Sequence, residues 1–393
     1  MRRRVRTGQL VVAEVTAVAV VGSAFGPRWV LVGVAILAAA VLVATFGRAG
    51  GRWWYEAVAL SYRFRRRRRL AAAQVVTAAV DAGTVPAPVA WLRTLAPAFS
   101  LRSVTVGVHP VAVAADADGW FAIAEVGSLW DDDLMPAPAG GAAEDAWAPG
   151  GATLRPGGGQ ATPVPLARPA PEARPVPYRE LAALLDQVSS VQVVLAPGAS
   201  PGQPRPAWVA VRVTPADALA AERSGGVSAV ERTVATAVAK AVRTLDAAGW
   251  PARPVTPDGL VPTLVEATGI DGPPQEHWSW WRAGRLVRTH YAVAGWRPVH
   301  GTLASEVSYL SVRFDRHDDR RAAGAGEDEW AARATVIAAV ATAPAALRRA
   351  CDQVVAAATA QSLRLLRLDG EQAPAAWATA PTASPVVRRP SGP

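Results

Sequence analysis

Two apolar runs near the start, Leu10 to Phe25 and Trp29 to Phe46, constrain this chain more than any other feature. Each is long enough for a helix of about 24 to 27 Å, close to the ~30 Å hydrocarbon core of a bilayer. Glu14 is the one charged residue in either. Gly26 and Pro27 lie between them and rule against a continuous helix, because proline gives up a donor and clashes with the preceding turn. The expectation is a membrane-crossing hairpin with spans over 9–25 and 28–46.

Charge orients that hairpin. The first seventy residues hold thirteen arginines against Glu14 and Glu56, +11 in a chain whose total is +9, so the remainder carries −2. Arg2, Arg3, Arg4 and Arg6 precede the first run, Arg48 and Arg52 follow the second, and only Arg28 lies between. Basic flanks stay in the cytoplasm, so a multi-pass plasma-membrane protein with both termini cytoplasmic is expected. A cleaved signal peptide is the competing reading, but it would export the cluster Arg65, Arg66, Arg67, Arg68 and Arg69. That cluster is expected along the anionic lipid of the inner leaflet; its plainer reading is a topology determinant without a partner. Trp29, Trp53, Trp54 and Tyr55 stand where interfacial aromatics stand. Glu14 reads as a positional or helix-packing residue, since two spans with one carboxylate are too little for a transporter. The near-neutral remainder argues against nucleic acid as a partner, because phosphate neutralisation supplies most of such affinity.

The domain layout expected is a basic arm (1–8), the two spans, a juxtamembrane aromatic and arginine segment (47–70), and a cytoplasmic mixed α/β (α+β) domain with a mixed sheet. That domain occupies 71–134 and 178–380. Between its parts, residues 135–177 hold ten prolines and seven glycines, a composition that cannot offset its ordering entropy and reads as disordered. A disordered tail is expected over 381–393. Within the domain, Leu70 to Val80 reads as a short helix. Arg102 to Val126 alternates like strands, with Val104, Val106 and Val108 on one face and a hairpin at Asp118-Gly119. Val191 to Leu195, Ala207 to Val213, Arg285 to Ala294, Ser305 to Phe314, Trp330 to Val340 and Leu363 to Leu368 read as strands, and Tyr178 to Val188 and Pro344 to Ala358 as helices. The clearest element is a helix over Ser228 to Ala248: Val230, Val234, Val238, Ala241 and Leu245 form its stripe, Ser228 and Glu231 a capping box, and Gly249 its stop. No repeat of fixed period is visible.

The chemistry-bearing candidates are weak. Gly198-Ala199-Ser200-Pro201-Gly202 matches a hydrolase elbow, but a second strand follows where a helix is required. Lys240, the sole lysine, has no glycine loop before it, so a P-loop fails. Asp131 to Asp133 read as a solvated turn before a metal site. The five histidines lack ligand spacing, and Cys351 reads as a small core residue. No catalytic, cofactor or metal residue is assigned. Trp278, Trp280 and Trp281 form the most unusual segment, with internal packing, a protein interface and ligand stacking all open.

The order of these features resembles one family. The apolar hairpin, then Gly51-Arg52-Trp53-Trp54-Tyr55-Glu56 and the arginine run, is similar to EccE, a membrane component of the actinobacterial type VII secretion system. So are the stretches Asp118-Gly119-Trp120-Phe121-Ala122, Arg288-Thr289-His290-Tyr291 leading to Trp296, and Leu368-Asp369-Gly370-Glu371-Gln372. The resemblance implies a non-catalytic structural subunit of an inner-membrane secretion complex. Its partners would be the other membrane subunits, including an ATPase and a many-span component. The alternative is a membrane-tethered glycosyltransferase-like enzyme acting on lipid-linked or nucleotide sugars.

Overall fold

The computed structural model describes residues 7–49, 52–81, 86–127, 176–197, 206–294, 296, 308–316 and 334–385. Two apolar helices, α1 (Thr7–Ser23) and α2 (Arg28–Phe46), pack as a hairpin around Gly26 and Pro27. α2 is long and apolar enough to cross a membrane, and α1 contributes the shorter apolar stretch Leu10–Ser23. A two-strand turn, β1 (Arg48–Ala49) and β2 (Arg52–Trp53), leads into α3 (Trp54–Asp81). Here the sequence reading needs correction. The aromatic and arginine segment and the short helix after it are one helix of 28 residues. Leucine, alanine and arginine are all good helix formers, and nothing between Trp54 and Asp81 breaks the pattern.

The remaining elements are α4 (Ala87–Leu95), β3 (Ser100–Val106), β4 (His109–Asp116), β5 (Gly119–Val126), α5 (Tyr178–Ala182), β6 (Ser190–Leu195), β7 (Ala207–Val213), α6 (Pro215–Gly225), α7 (Val227–Ala247), β8 (Ala252–Pro254) and α8 (Pro257–Thr268). They continue with β9 (Gln275–Glu276), β10 (Trp281–Ala283), β11 (Leu286–Ala294), β12 (Ser308–Asp315), β13 (Ala334–Ala341), α9 (Pro344–Ala360), β14 (Arg364–Arg367) and α10 (Gln372–Thr379). Strands β3 to β14 form one sheet, in the order β3-β4-β5-β7-β6-β12-β13-β11-β10-β9, with β8 beside β5 and β14 beside β11. Every pairing is antiparallel, so the sheet is not mixed as expected. One face packs on α7 and α9 through Val234, Val238, Leu245, Leu347 and Val354. The other packs on α4, α8 and α10 through Leu92, Leu260, Leu264 and Trp377. Both faces are covered, which is why β6 and β7 are buried along their whole length, the polar Ser190, Gln192 and Arg212 included.

The strand order is a palindrome. Reading outward from the centre, β6-β7-β5-β4 on one side matches β12-β13-β11-β10 on the other. The centre is the antiparallel pair β6–β12, where Val194 stands opposite Ser311. Each half has a hairpin closed by a two-residue turn, then a strand pair, a helix, a short strand beside the end of the hairpin, and a last helix. The match reaches single hydrogen bonds: Val255 N–H donates to Ile123 O at 2.9 Å, and Leu368 N–H to His290 O at 2.9 Å. Helix α7 ends as Trp250 N–H donates to Leu245 O, and α9 ends as Leu363 N–H donates to Ala358 O. The domain is therefore two copies of one topology related by a pseudo-twofold.

Several local expectations change. The stripe of α7 is buried, and Gly249 ends the helix at φ 80°, closing a Schellman arrangement. No capping box forms. The helix starts one residue earlier, with Gly226 as N-cap, and Glu231 instead pairs with Arg102 at 3.2 Å. Val108 lies in the turn between β3 and β4, 84% exposed, because Gly107 at φ 63° reverses the chain before it. Cys351 is half-buried at the rim of the core. The segment expected as a tail from 381 is fastened at its start: Thr382, Ala383 and Ser384 are buried. Arg212 Nε donates to Thr382 O at 2.8 Å, and Ser190 Oγ to Ala383 O at 3.2 Å. Polar side chains on β6 and β7 thus hold backbone that composition alone marks as unstructured. The expected disordered insertion falls outside the described residues up to 175.

Candidate functional site

α3 is the link between the apolar hairpin and the sheet, and its contact with the sheet gathers several of the residues singled out in the sequence. Leu60, Phe64 and Arg67 recur at four and three residues, so they share one face of the helix. Leu60 and Phe64 are buried. Phe64 meets Trp278 edge to face, ring centroids 5.3 Å apart at 90°. Arg67 grips Glu276 with two nitrogens, Nη2 to Oε1 at 3.1 Å and Nε to Oε2 at 3.3 Å, and also donates to Gly370 O. The Glu276 side chain is only 7% exposed. Its Oε1 also accepts from Ala373 N–H at 3.1 Å, in the first turn of α10, where the helix dipole favours a carboxylate. One carboxylate therefore ties α3, β9 and α10 together.

The loop at this joint demands its glycine. Gly370 has φ 73°, and a Cβ there would stand 2.8 Å from Trp278 and 3.2 Å from Leu60. Its N–H donates to Trp278 O. Two residues on, Gln372 is buried: its Oε1 accepts from His290 N–H at 3.0 Å and lies 3.0 Å from His290 Nδ1, while Nε2 donates to Leu368 O at 2.9 Å. An acceptor at Nδ1 puts the ring proton there. Burial, reinforced by the charge of Arg288, outweighs the Gln372 hydrogen bond and pushes the His290 imidazole down to about 3, so it is neutral at physiological pH.

A second polar cluster fixes residues 382–384. Arg212 and Asp116 form a bidentate pair at 2.6 and 2.8 Å, with side chains 1% and 3% exposed. Trp377 Nε1 donates to Asp116 Oδ2 at 3.0 Å, and the guanidinium lies 4.9 Å over Phe121. Burial opposes ionisation of Asp116, but the hydrogen bonds and charge of Arg212, with Trp377 and the Asp118 N–H, hold the carboxyl below its ordinary value.

The sequence candidates divide accordingly. Of the arginine run only Arg67 turns inward; Arg65, Arg66, Arg68 and Arg69 are exposed on α3. The three tryptophans have three fates: Trp281 is fully buried, Trp280 stacks on His277 at 3.5 Å against the core rim, and Trp278 receives α3 while remaining 40% exposed. Trp29, Trp54 and Glu14 are exposed, Trp53 ends β2, and Tyr55 lies in the first turn of α3. Ser200 and Asp131 to Asp133 lie outside the described residues. Among the described residues no cluster of three or more His, Cys, Asp or Glu could hold a metal. The sequence reading missed Glu276 and Arg212, two isolated charges with no motif around them. Only the spacing of Leu60, Phe64 and Arg67 could have flagged the joint.

Residues 203–293, from before β7 almost to the end of β11, match the model of a family described as "Putative type VII ESX secretion system translocon, EccE". The resemblance to EccE holds. The EccE-like segment contains Arg212, Glu276, Trp278 and His290; α3 lies before it, and Gly370, Gln372 and α10, which complete the joint, lie after it. The match associates the chain with a type VII secretion translocon and so with a membrane. No curated protein matches it.

Proposed function

We propose that this chain is a non-catalytic, membrane-anchored structural subunit of a type VII secretion complex, in which the α1–α2 hairpin spans the plasma membrane and the sheet domain stands in the cytoplasm. The observation that carries this reading is the joint: an apolar hairpin runs into a helix that is pinned to an EccE-like sheet by Arg67, Phe64 and Leu60. Such a connection transmits position, which is what a scaffold requires. Arginines on the flanks of the hairpin favour cytoplasmic termini. The exposed Arg65, Arg66, Arg68 and Arg69 would lie on anionic lipid, at about 1 kcal/mol each. The partners are the other membrane subunits of the complex, its ATPase and many-span component among them.

Purification from membranes in mild detergent, with native sizing and mass spectrometry, tests this. Recovery with a membrane ATPase and a many-span protein in a particle far above 40.9 kDa supports the reading. Recovery as a lone monomer under conditions that preserve other membrane complexes rejects it.

A further inference from the structure

Glu14 is the only charged residue between Leu10 and Phe25, and the hairpin leaves it without a partner among the described residues. α1 has 17 residues, and Glu14 stands next to its middle, about 10 Å along the axis from Thr7. The side of α1 turned to α2 carries Thr16, which is buried, with Val12, Val20 and Ser23, which are half-buried. Glu14 points the other way, on the side where Val18 and Val21 are 69% and 62% exposed. The other two polar side chains of this stretch are satisfied within the helix: Thr16 Oγ1 donates to Val12 O at 2.6 Å and Ser23 Oγ to Val20 O at 2.7 Å. α2 offers Glu14 nothing, since it has no polar side chain between Val30 and Ala44. A carboxylate at such a depth is costly in hydrocarbon and is found against a partner.

We propose that the outward side of α1 docks a transmembrane helix of another subunit, and that Glu14 pairs there with an arginine or lysine of that helix. The proposal rests on the hairpin spanning the membrane. Charge complementarity selects the occupant. Lipid tails offer a carboxylate no donor. A second copy of this chain, packed by a twofold on the same side, would set Glu14 against Glu14, a like-charge contact. A cation on a different chain both neutralises the carboxylate and donates to it, and a guanidinium does so with two parallel hydrogen bonds. The pair also fixes the depth and rotation of α1, because sliding or turning against its neighbour would leave two separated charges out of water. The hairpin then selects a partner as well as anchoring the chain.

The test uses the full chain in its own membranes, with p-benzoylphenylalanine in place of Val18, one turn from Glu14 on the same side. Illumination is expected to link position 18 to a transmembrane peptide of another protein, and mass spectrometry of that peptide is expected to find an arginine or lysine in it. Glu14→Gln, which keeps the shape and loses the charge, and Glu14→Leu are each expected to lower the yield about tenfold or more. Glu14→Arg should do the same alone and regain about half or more of the parental yield once the basic residue of the linked helix is changed to glutamate. The parent is purified from the same membranes in mild detergent alongside, which keeps this inference apart from the anchoring role. A parent recovered in the large complex, with a cross-link indifferent to Glu14→Gln, overturns the pairing alone. So does a cross-link only to lipid, to a second copy of this chain or to a segment without a basic residue, or a charge exchange that restores nothing. A parent recovered as a lone monomer overturns both readings.

Discussion

Ser362 holds in the second half of the sheet the left-handed position that Gly249 holds in the first, at φ 56° against 80°. Both follow the helix of their half and donate to a carbonyl three residues back, at 2.9 Å. Glycine adopts this conformation freely, whereas an L side chain in it costs about 1 to 2 kcal/mol. Ser362 is exposed. Ser362→Gly is therefore expected to stabilise the domain by about 0.5 to 1 kcal/mol after the entropy of the freer unfolded chain is subtracted. Gly249→Ser should cost a similar amount. Thermal unfolding of the two variants in detergent, followed by tryptophan fluorescence, reads both shifts.

Neighbouring arginines should behave differently at the joint. Arg67→Ala leaves a buried Glu276 with one hydrogen-bond donor in place of a bidentate partner and is expected to cost about 1.5 to 3 kcal/mol of docking. Arg66→Ala, at an exposed site, should stay within about 0.5 kcal/mol of the parent. Limited proteolysis along α3 checks this: cleavage near residues 60–70 should accelerate for Arg67→Ala and not for Arg66→Ala.

Trp281 and Trp278 should separate in the same way. Trp281→Ala empties a fully buried site and is expected to cost about 3 to 5 kcal/mol of global stability. Trp278→Ala removes a half-exposed ring and should change the unfolding midpoint little while freeing α3, read as increased hydrogen exchange at Leu60 and Phe64.

His290 confers a pH dependence whose sign is definite. Its folded value of about 3 lies below the ordinary 6.5, so the unfolded chain binds the proton more readily. Its contribution is whole above pH 6.5 and is lost progressively as pH falls toward 3, at up to about 1.4 kcal/mol per pH unit. Urea titrations from pH 7 to 4 should show that slope in the parent. His290→Asn, which keeps a donor for Gln372, should be less stable at pH 7 and flatter below it.

Much of the periodic structure was legible in the sequence, and the reasons the rest was not are physical. Val230 to Leu245 announces α7 because the helix is wet on the side of Arg232, Thr236 and Arg243. Asp118-Gly119 announces its hairpin because the turn needs Gly119 at φ 126°. By contrast α4, α8 and α10 escaped notice. α10 lies in an alanine- and proline-rich stretch, and its burial depends on Trp377 reaching Asp116 across 261 residues. The palindrome was invisible for another reason. Equivalent positions carry unlike residues, Phe121 with Arg288 and Ile123 with His290, because the second half bonds its buried polar groups locally, Arg288 to Ala267 O and His290 to Gln372. The loops between elements also differ in length, so no fixed period survives. At the joint, the arginine run reads as uniform charge; which member turns inward is decided by Phe64 and Leu60, one and two turns earlier.

The central pair of the sheet also sets a timetable. The strands of the first half are all made once Pro254 has been synthesised, but the outer edge of β6 is covered only by β12, which ends at Asp315. At about 5 to 20 residues per second, a nascent chain leaves that apolar edge open for several seconds. During that interval the nearest strand of matching shape is the β6 of a neighbouring nascent chain, because β6 and β12 are equivalent across the pseudo-twofold. Ribosome spacing and chaperone access over residues 255–315 therefore bear on how much of this protein matures.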